Sequence, residues 1–364
     1  TDLTYVERSN KIRIEKLLNG VDVVLPVYHA LTTGATCTLF NASHVAITDG
    51  SGVTGPNGAI TLSNVIIPTG LVYSVCTGGY YYDEATGEKT DAPITRAAMI
   101  YSGTGDVVLL ASPLSEIAYQ LAGTNLASTI TAKNAEVATA FGLGSIDILA
   151  TIPTDINTTT AAIDDAGNFG TVLAAISQMG ENSDDDNPTV TITALVNDMR
   201  DNGAIEGRDT VKSGGVKETV DITKAINNFK TNSGANNTLN GPGAEHVPLS
   251  TGKGSIIFNL AIAFIDAYDG TGTEPTIQQY DYAEVTGVTA NNLKAVNAAV
   301  ANQPAGTTAL IQALVTASNA IAVISAYDGT NTAPAVQQYA DAGVTGVTDD
   351  NLAAVNAQVE TASS

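Results

Sequence analysis

The sequence is poor in the residues on which most active sites depend. In 364 residues it has three histidines, two cysteines, three methionines and no tryptophan. The histidines are scattered along the chain, which makes a zinc site unexpected. We find no GxSxG elbow, zinc-protease motif, cysteine–histidine pair or phosphate-binding loop. The sequence therefore predicts no catalytic residues and a protein that is not an enzyme.

Basic residues are also scarce. The chain has 37 acidic residues against 15 basic ones, a net charge of −22. Such a surface repels phosphate backbones, so we do not expect nucleic acid as a partner. No cofactor is required by any motif, and calcium is the one that the acidity favours. We find no run of 18 apolar residues, so we expect no membrane span. A start at Thr1 fits a processed, exported chain.

The two cysteines each lie in a segment that predicts a strand. Cys37 stands in ATCTLF and Cys76 in LVYSVCTGG. In an oxidising compartment they would form one bridge between two strands, whereas the alternative is two free, buried thiols that act as small apolar residues. We favour the bridge because the rest of the composition is typical of an extracellular protein.

A tandem repeat dominates the C-terminal part of the sequence. Residues 267–300 (AYDGTGTEPTIQQYDYAEVTGVTANNLKAVNAAV) and 326–359 (AYDGTNTAPAVQQYADAGVTGVTDDNLAAVNAQV) match at 23 of 34 positions. The pattern of turns and apolar positions predicts two three-helix modules, at 255–304 and 305–364. Repeated modules stack to share a core and build extended surfaces, which favours a structural or binding role.

The first twenty residues carry four of the fifteen basic side chains. The run Lys11-Ile12-Arg13-Ile14 alternates polar and apolar residues, as a half-buried strand does. It is either the first strand of the following domain or an arm that pairs with a sheet edge of another subunit, which would give a homopolymer. Residues 295–364 contain five acidic and no basic side chains, so a basic arm has an acidic surface to meet.

Residues 21–110 predict a β-sandwich. Seven short runs rich in Val, Ile, Thr and Tyr are separated by clusters of Gly, Asn, Asp and Pro (VDVVLPV, TCTLF, HVAIT, AITLSNVII, LVYSVC, AAMIYS and DVVLL). The segments GATCTL at 34–39, GPNGAI at 55–60 and TGGY with DEATG at 77–87 resemble transthyretin-like, carboxypeptidase-regulatory-like domains of exported bacterial proteins. The resemblance implies a small sandwich in a surface protein.

An aromatic and acidic cluster, YYYDE, occupies residues 80–84. Such residues can line a carbohydrate or calcium site. The alternative, which we favour, is the end of a strand followed by a solvated loop.

Residues 111–230 predict an all-α domain. Ser112 and Pro113 suit a helix N-terminus, and further helices are predicted at about 127–141, 188–200 and 220–229. Residues 231–254 read as a linker. The run SPLSEIA and the segments after it resemble a helical region that follows such sandwiches in bacterial surface lipoproteins and adhesins. The repeat resembles AGVTGVTxxNLxAVN modules in surface proteins of marine Gram-negative bacteria.

Two acidic segments are candidates for calcium. Asp184, Asp185 and Asp186 form a run, for which a solvated acidic face is the favoured interpretation. From Asp198 through Asp201 to Asp209 the spacing approaches that of an EF-hand loop, with Gly203 at the turn and Ile205 at the eighth position, but a cation, Arg200, occupies the third position, which should hold a ligand. We therefore interpret that segment as a turn between helices.

These features predict an α+β multidomain protein with an N-terminal β-sandwich, an all-α region and two tandem three-helix modules. The expected function is that of an extracellular structural or adhesive protein of a bacterial surface, including a filament subunit joined through its arm. Its partners would be further copies of itself or neighbouring surface-protein domains. The alternative is a carbohydrate-, peptide- or calcium-binding module of a large adhesin.

Overall fold

The computed structural model describes residues 20–144, 146–158, 162–182, 188–200, 203–205, 210–213, 216–236, 256–271, 273–301, 303 and 305–363. These residues belong to two compact units, Thr1–Ser250 and Thr251–Ser364, and each is described by itself. The predicted arm at residues 11–14 lies outside the described residues.

Among the described residues, nine strands make up the first part of the first unit. They are β1 (Val21–Pro26), β2 (Thr36–Asn41), β3 (Ala46–Val53), β4 (Ala59–Val65), β5 (Gly70–Thr77), β6 (Tyr80–Tyr82), β7 (Lys89–Asp91), β8 (Thr95–Tyr101) and β9 (Val107–Val108). One sheet has the order β4-β1-β9 and another β3-β2-β5-β8, while β6 and β7 form a separate hairpin. The seven predicted strands are all present, and the sandwich-like arrangement agrees with the prediction.

Strand alternation explains the core of these sheets. Val23 and Leu25 in β1 and Cys37 and Leu39 in β2 are fully buried, whereas the residues between them are partly exposed. Because successive side chains of a strand point to opposite faces, each strand places its apolar side chains on one side of the sheet.

Gly79 is required by its backbone conformation and by a close backbone neighbour. Its φ is +78°, and a Cβ at this position would lie 2.5 Å from the backbone nitrogen of Ala35, so no side chain fits there.

Five helices follow in the described part of the first unit. They are α1 (Pro113–Ala122), α2 (Leu126–Ala140), α3 (Asp165–Asn182), α4 (Pro188–Met199) and α5 (Ile222–Asn236). Ser112 caps α1 as predicted, in a capping box in which its N–H donates to Ser115 Oγ over 2.9 Å.

Two details correct the predicted all-α region. It also contains an antiparallel hairpin, β10 (Thr210–Ser213) with β11 (Val216–Thr219). The β-branched residues of TVKS and VKET on either side of a Gly-Gly pair are typical of a hairpin, a signal that the helical interpretation overlooked. In addition, α5 runs to Asn236 and so occupies the start of the predicted linker.

Side chains from the helices cover the β8 edge of the four-stranded sheet. Glu116 Oε2 accepts the backbone N–H of Arg96 over 2.8 Å, and Ser115 Oγ donates to the Arg96 carbonyl over 2.8 Å. Asn134 Nδ2 donates to the carbonyl of Ala98 over 3.1 Å. An edge whose backbone groups are already paired cannot accept an added strand at those positions. Strand addition by an N-terminal arm would need another edge.

The second unit is helical in its described part. Its helices are α6 (Ile256–Ala267), α7 (Ile277–Tyr282), α8 (Leu293–Val300), α9 (Thr308–Ser325), α10 (Val336–Asp341) and α11 (Leu352–Ser363). Tyr280, Val296, Ile311 and Val315 lie in its hydrophobic core and are fully buried. Helix α9 is long and apolar enough to cross a membrane, and 22% of it is buried. Such a helix is weak evidence for a span, since core helices pass the same test.

The two repeats make the same buried hydrogen bonds. In the first, Tyr280 Oη donates to Asn297 Oδ1 over 2.8 Å, and Asn297 Nδ2 donates to the Pro275 carbonyl over 2.9 Å. In the second, Tyr339 bonds Asn356 over 2.6 Å, and Asn356 bonds the carbonyl of Pro334 over 3.0 Å. The asparagine thus ties the last helix of each repeat to the proline two residues before its short helix.

Candidate functional site

The described part of the first unit contains a pocket of about 220 Å³. It lies where the β6–β7 hairpin meets α3 and the start of α4. Polar side chains line much of it, including Asp83, Lys89, Ser177 and Thr191. Because the volume is below the roughly 300–1,000 Å³ of sites for drug-sized ligands, only a small ligand would fit.

The turn after β6 shapes one wall of this pocket. Asp83 Oδ1 accepts the backbone N–H groups of Ala85 and Thr86, at 2.9 and 3.1 Å, so the carboxylate fixes its own turn. Burial raises the pKa of Asp83, and these hydrogen bonds oppose the rise. The turn directs the next residue, Glu84, to the interior.

Glu84 is buried, with 8% of its surface exposed, and its Oε2 accepts the hydroxyl of Ser177 on α3 over 2.6 Å. Burial raises the pKa of Glu84 well above 4.5, and the charge of Asp83 raises it further. The strand end at residues 80–82 agrees with our interpretation of YYYDE, but Glu84 is not part of a solvated loop. No local sequence signal indicates this burial, because the covering helix comes from residues far along the chain.

His29 forms part of the pocket floor with Tyr81. Its Nε2 lies 2.8 Å from Thr95 Oγ1, and its ring centroid lies 5.2 Å from that of Tyr81. Burial lowers the pKa of His29 to about 3, so the imidazole is neutral under ordinary conditions. It therefore offers no positive charge to an anionic ligand.

Thr191 is a buried polar residue in the lining of the pocket. Its Oγ1 has no hydrogen-bond partner within the described part of the chain. An unsatisfied buried hydroxyl costs about 1–3 kcal/mol, which a ligand with a complementary donor or acceptor can recover. Lys89 stands at the pocket with its Nζ 3.7 Å from the centre of the Tyr80 ring. His29 and Tyr81 also line the pocket, which therefore combines hydroxyl-bearing residues with aromatic rings.

The predicted disulfide is confirmed. Cys37 on β2 and Cys76 on β5 are directly paired across the two strands, and their sulfur atoms are bonded. Their Cα atoms lie 4.0 Å apart. Both residues are buried, so the bridge fastens the middle of the four-stranded sheet.

Of the five predicted calcium ligands only Asp198 lies among the described residues, so the calcium sites stay predictions. Asp198 lies near the end of α4 with 3% of its surface exposed. Asp184, Asp185, Asp186 and Asp201 lie outside the described residues. Within the part of the chain that the structure describes, no group of three or more His, Cys, Asp or Glu side chains is arranged to hold a metal ion.

No protein-family model, curated protein or solved structure matches this chain. The resemblances noted in the sequence therefore remain expectations.

Proposed function

We propose that this protein is an exported structural or adhesive protein of a bacterial surface, built from a β-sandwich, a helical region and two tandem three-helix modules. In this proposal residues 255–304 form one module and residues 305–364 the other. The observation that carries the proposal is the set of Tyr–Asn–Pro hydrogen bonds that recurs in both repeats. At these equivalent buried positions the polar side chains hold the backbone in place and do not form a reactive site. No enzymatic role is proposed.

The Cys37–Cys76 bridge supports export, since disulfides persist in oxidising compartments. The apolar helix α9 is proposed to be the first helix of the second module and not to span a membrane. Ile311 and Val315 are fully buried in the core of the second unit, which supports that placement.

Assembly through residues 1–20 is part of the proposal and is tested by electron microscopy of the purified full-length chain. We expect filaments that are lost when residues 1–20 are deleted. Monomers in both preparations would rule out the filament. A variant with Lys11 and Arg13 changed to Glu keeps the length of the arm and tests its charge. If the acidic C-terminal surface attracts the arm, this variant should assemble more weakly, especially at low salt.

A second candidate function is the binding of a small hydroxyl-bearing ligand, such as a single sugar residue, in the pocket. The buried Thr191 Oγ1, which has no partner among the described residues, favours it. The test measures melting temperatures against a panel of monosaccharides, because a ligand that binds only the folded state raises stability.

Thr191→Val removes the hydroxyl with little change of shape, and it should abolish the shift in melting temperature. Thr193→Val is the matched control, since Thr193 lies on the same helix but is exposed. A panel without any shift, or a shift that survives Thr191→Val, would refute ligand binding at this site.

A further inference from the structure

Val285 and Val344 occupy the same position of the two repeats, but their exposure differs sharply. Val285 is 2% exposed and Val344 is 46% exposed. The second repeat is nonetheless folded in the same way, since Tyr280 and Tyr339 are both buried and make equivalent hydrogen bonds. The difference therefore lies in what covers the valine.

Helix α9 covers this position in the first repeat. Ile311 and Val315 are fully buried and belong to the same hydrophobic core as Ala283 and Val285. The two side chains are four residues apart, so they lie on one face of the helix. This face closes the apolar side of the first repeat.

Polar side chains of α9 fix its register on the first repeat. Gln312 Oε1 accepts the Thr286 N–H over 2.8 Å, and its Nε2 donates to the Thr286 carbonyl over 3.1 Å. Asn319 Nδ2 donates to the Gly287 carbonyl over 3.1 Å, and its Oδ1 accepts from Asn292 over 2.6 Å. Thr308 also donates to a carbonyl of this repeat, that of residue 283, over 2.9 Å.

The second repeat has the same receiving groups, which we call the receiving face. Each is identical to its counterpart 59 residues earlier: Ala342, Val344, Thr345, Gly346 and Asn351. Val344 and Asn351 are exposed, whereas their counterparts Val285 and Asn292 are buried and half-buried; Thr345 and Thr286 are both exposed. Within the described residues no side chain bonds the Thr345 backbone as Gln312 bonds that of Thr286.

We infer that the receiving face binds a further helix that carries the residue pattern of α9. That pattern is Thr-x-x-Ile-Gln-x-x-Val-x-x-x-Asn, taken from Thr308 to Asn319. The Ile and Val side chains would cover Val344. The Gln side chain would pair with both backbone groups of Thr345, and the Asn side chain would bond Gly346 and Asn351. The inference goes beyond the proposed function, because it depends only on the difference between the two repeats.

The contact already present within the molecule supports this occupant. The first repeat shows which helix an identical set of groups accepts, with its apolar and polar contacts specified. The copy of α9 in this chain is occupied, since its apolar face is buried in the core of the second unit. The bound helix is therefore a second helix that presents the same pattern with this face unoccupied.

The test titrates a labelled peptide with the sequence of residues 305–325 onto the full-length protein. Saturable binding is expected, and Val344→Asp should weaken it at least about tenfold by placing a charge in the apolar contact. Ile94→Asp is the matched control in the protein, because Ile94 is an equally accessible apolar residue at 60% exposure in the first unit. It should leave the affinity unchanged.

A second peptide, in which the glutamine and asparagine equivalent to Gln312 and Asn319 are alanine, tests the polar contacts without altering the protein. We expect it to bind at least about tenfold more weakly. No saturable binding of the parent peptide, or binding that Val344→Asp does not change, would overturn the inference. Val344-dependent dimerisation that the peptide does not inhibit would also overturn it, because the occupant would then be a second copy bound in another way.

Discussion

The carboxylate of Glu116 accepts hydrogen bonds from both the backbone N–H and the guanidinium of Arg96. The Glu116 side chain is 3% exposed and that of Arg96 is 31% exposed. Arg96 also stacks on Tyr119, with its guanidinium carbon 4.3 Å from the ring centre. The Glu116 carboxylate thus neutralises the guanidinium charge of Arg96 and also bonds a backbone N–H at the β8 edge. In this way it joins α1 to β8.

Glu116→Ala is expected to lower the free energy of unfolding by about 1–3 kcal/mol, because it leaves a backbone N–H and a partly buried guanidinium without their acceptor. Urea denaturation measures the loss. Glu136→Ala is the control, since Glu136 pairs with Lys133 and both side chains are 29% exposed. That pair should contribute at most about 1 kcal/mol. Equal losses in the two variants would contradict the role of Glu116.

Replacing both Cys37 and Cys76 by Ala should lower the free energy of unfolding by about 2–4 kcal/mol. The bridge closes a loop with a sequence separation of 39 residues, and a closed loop of that length restricts the unfolded chain substantially. Thermal unfolding with and without reductant is the measurement. Reductant should destabilise the native protein and leave the double variant unaffected. A native protein that is insensitive to reductant even after unfolding and refolding would contradict this prediction.

The buried Glu84 should make the stability of the protein fall as the pH rises. Because burial raises its pKa above 4.5, the folded protein holds this proton more tightly than the unfolded chain does. The stabilising contribution is complete below pH 4.5 and is lost as the pH rises through the higher folded-state pKa. Glu84→Gln cannot ionise and keeps an acceptor for Ser177, so it should be more stable than the native protein at neutral pH.

The difference between Glu84→Gln and the native protein should disappear below pH 4.5. Denaturation midpoints across the pH range check it. Glu88→Gln provides the control, because Glu88 lies nearby on the surface and its change should stay within about 0.5 kcal/mol. Parallel pH profiles for native protein and Glu84→Gln would refute the effect.

Asn297→Ala should destabilise the protein by about 2–4 kcal/mol. It leaves two buried groups, the Tyr280 hydroxyl and the Pro275 carbonyl, without their partner. If the repeats are equivalent modules, Asn356→Ala will act in the same direction. Thermal unfolding measures both, and Asn291→Ala, on an exposed turn, is expected to stay within about 0.5 kcal/mol. A silent Asn356→Ala beside a damaging Asn297→Ala would show that the two repeats differ in structure.

Local signals were enough to locate most secondary structure. The seven runs of β-branched and aromatic residues are strands, and Ser112 with Pro113 begins α1 as predicted. The three-residue strand β7 is not indicated by the sequence, because so short a segment carries too little alternation to identify, whereas β6 is indicated only as the end of a strand. The β10–β11 hairpin was missed for a related reason, since a helical interpretation of the flanking segments was extended across it.

The sequence by itself determined the seven predicted strands, the capped helix and the repeat, because each depends on neighbouring residues or on a pattern that recurs along the chain. The cysteine bridge was favoured over free thiols by the composition, and the pairing of β2 with β5 decided it. Only the tertiary structure decided that Glu84 is buried against Ser177, that Glu116 covers β8, and that Val285 is buried while Val344 is exposed. These properties depend on which distant segment lies against a residue. Identical residues of the two repeats therefore have different surroundings. Helix α9 packs on the first repeat, and the corresponding residues of the second repeat are left exposed.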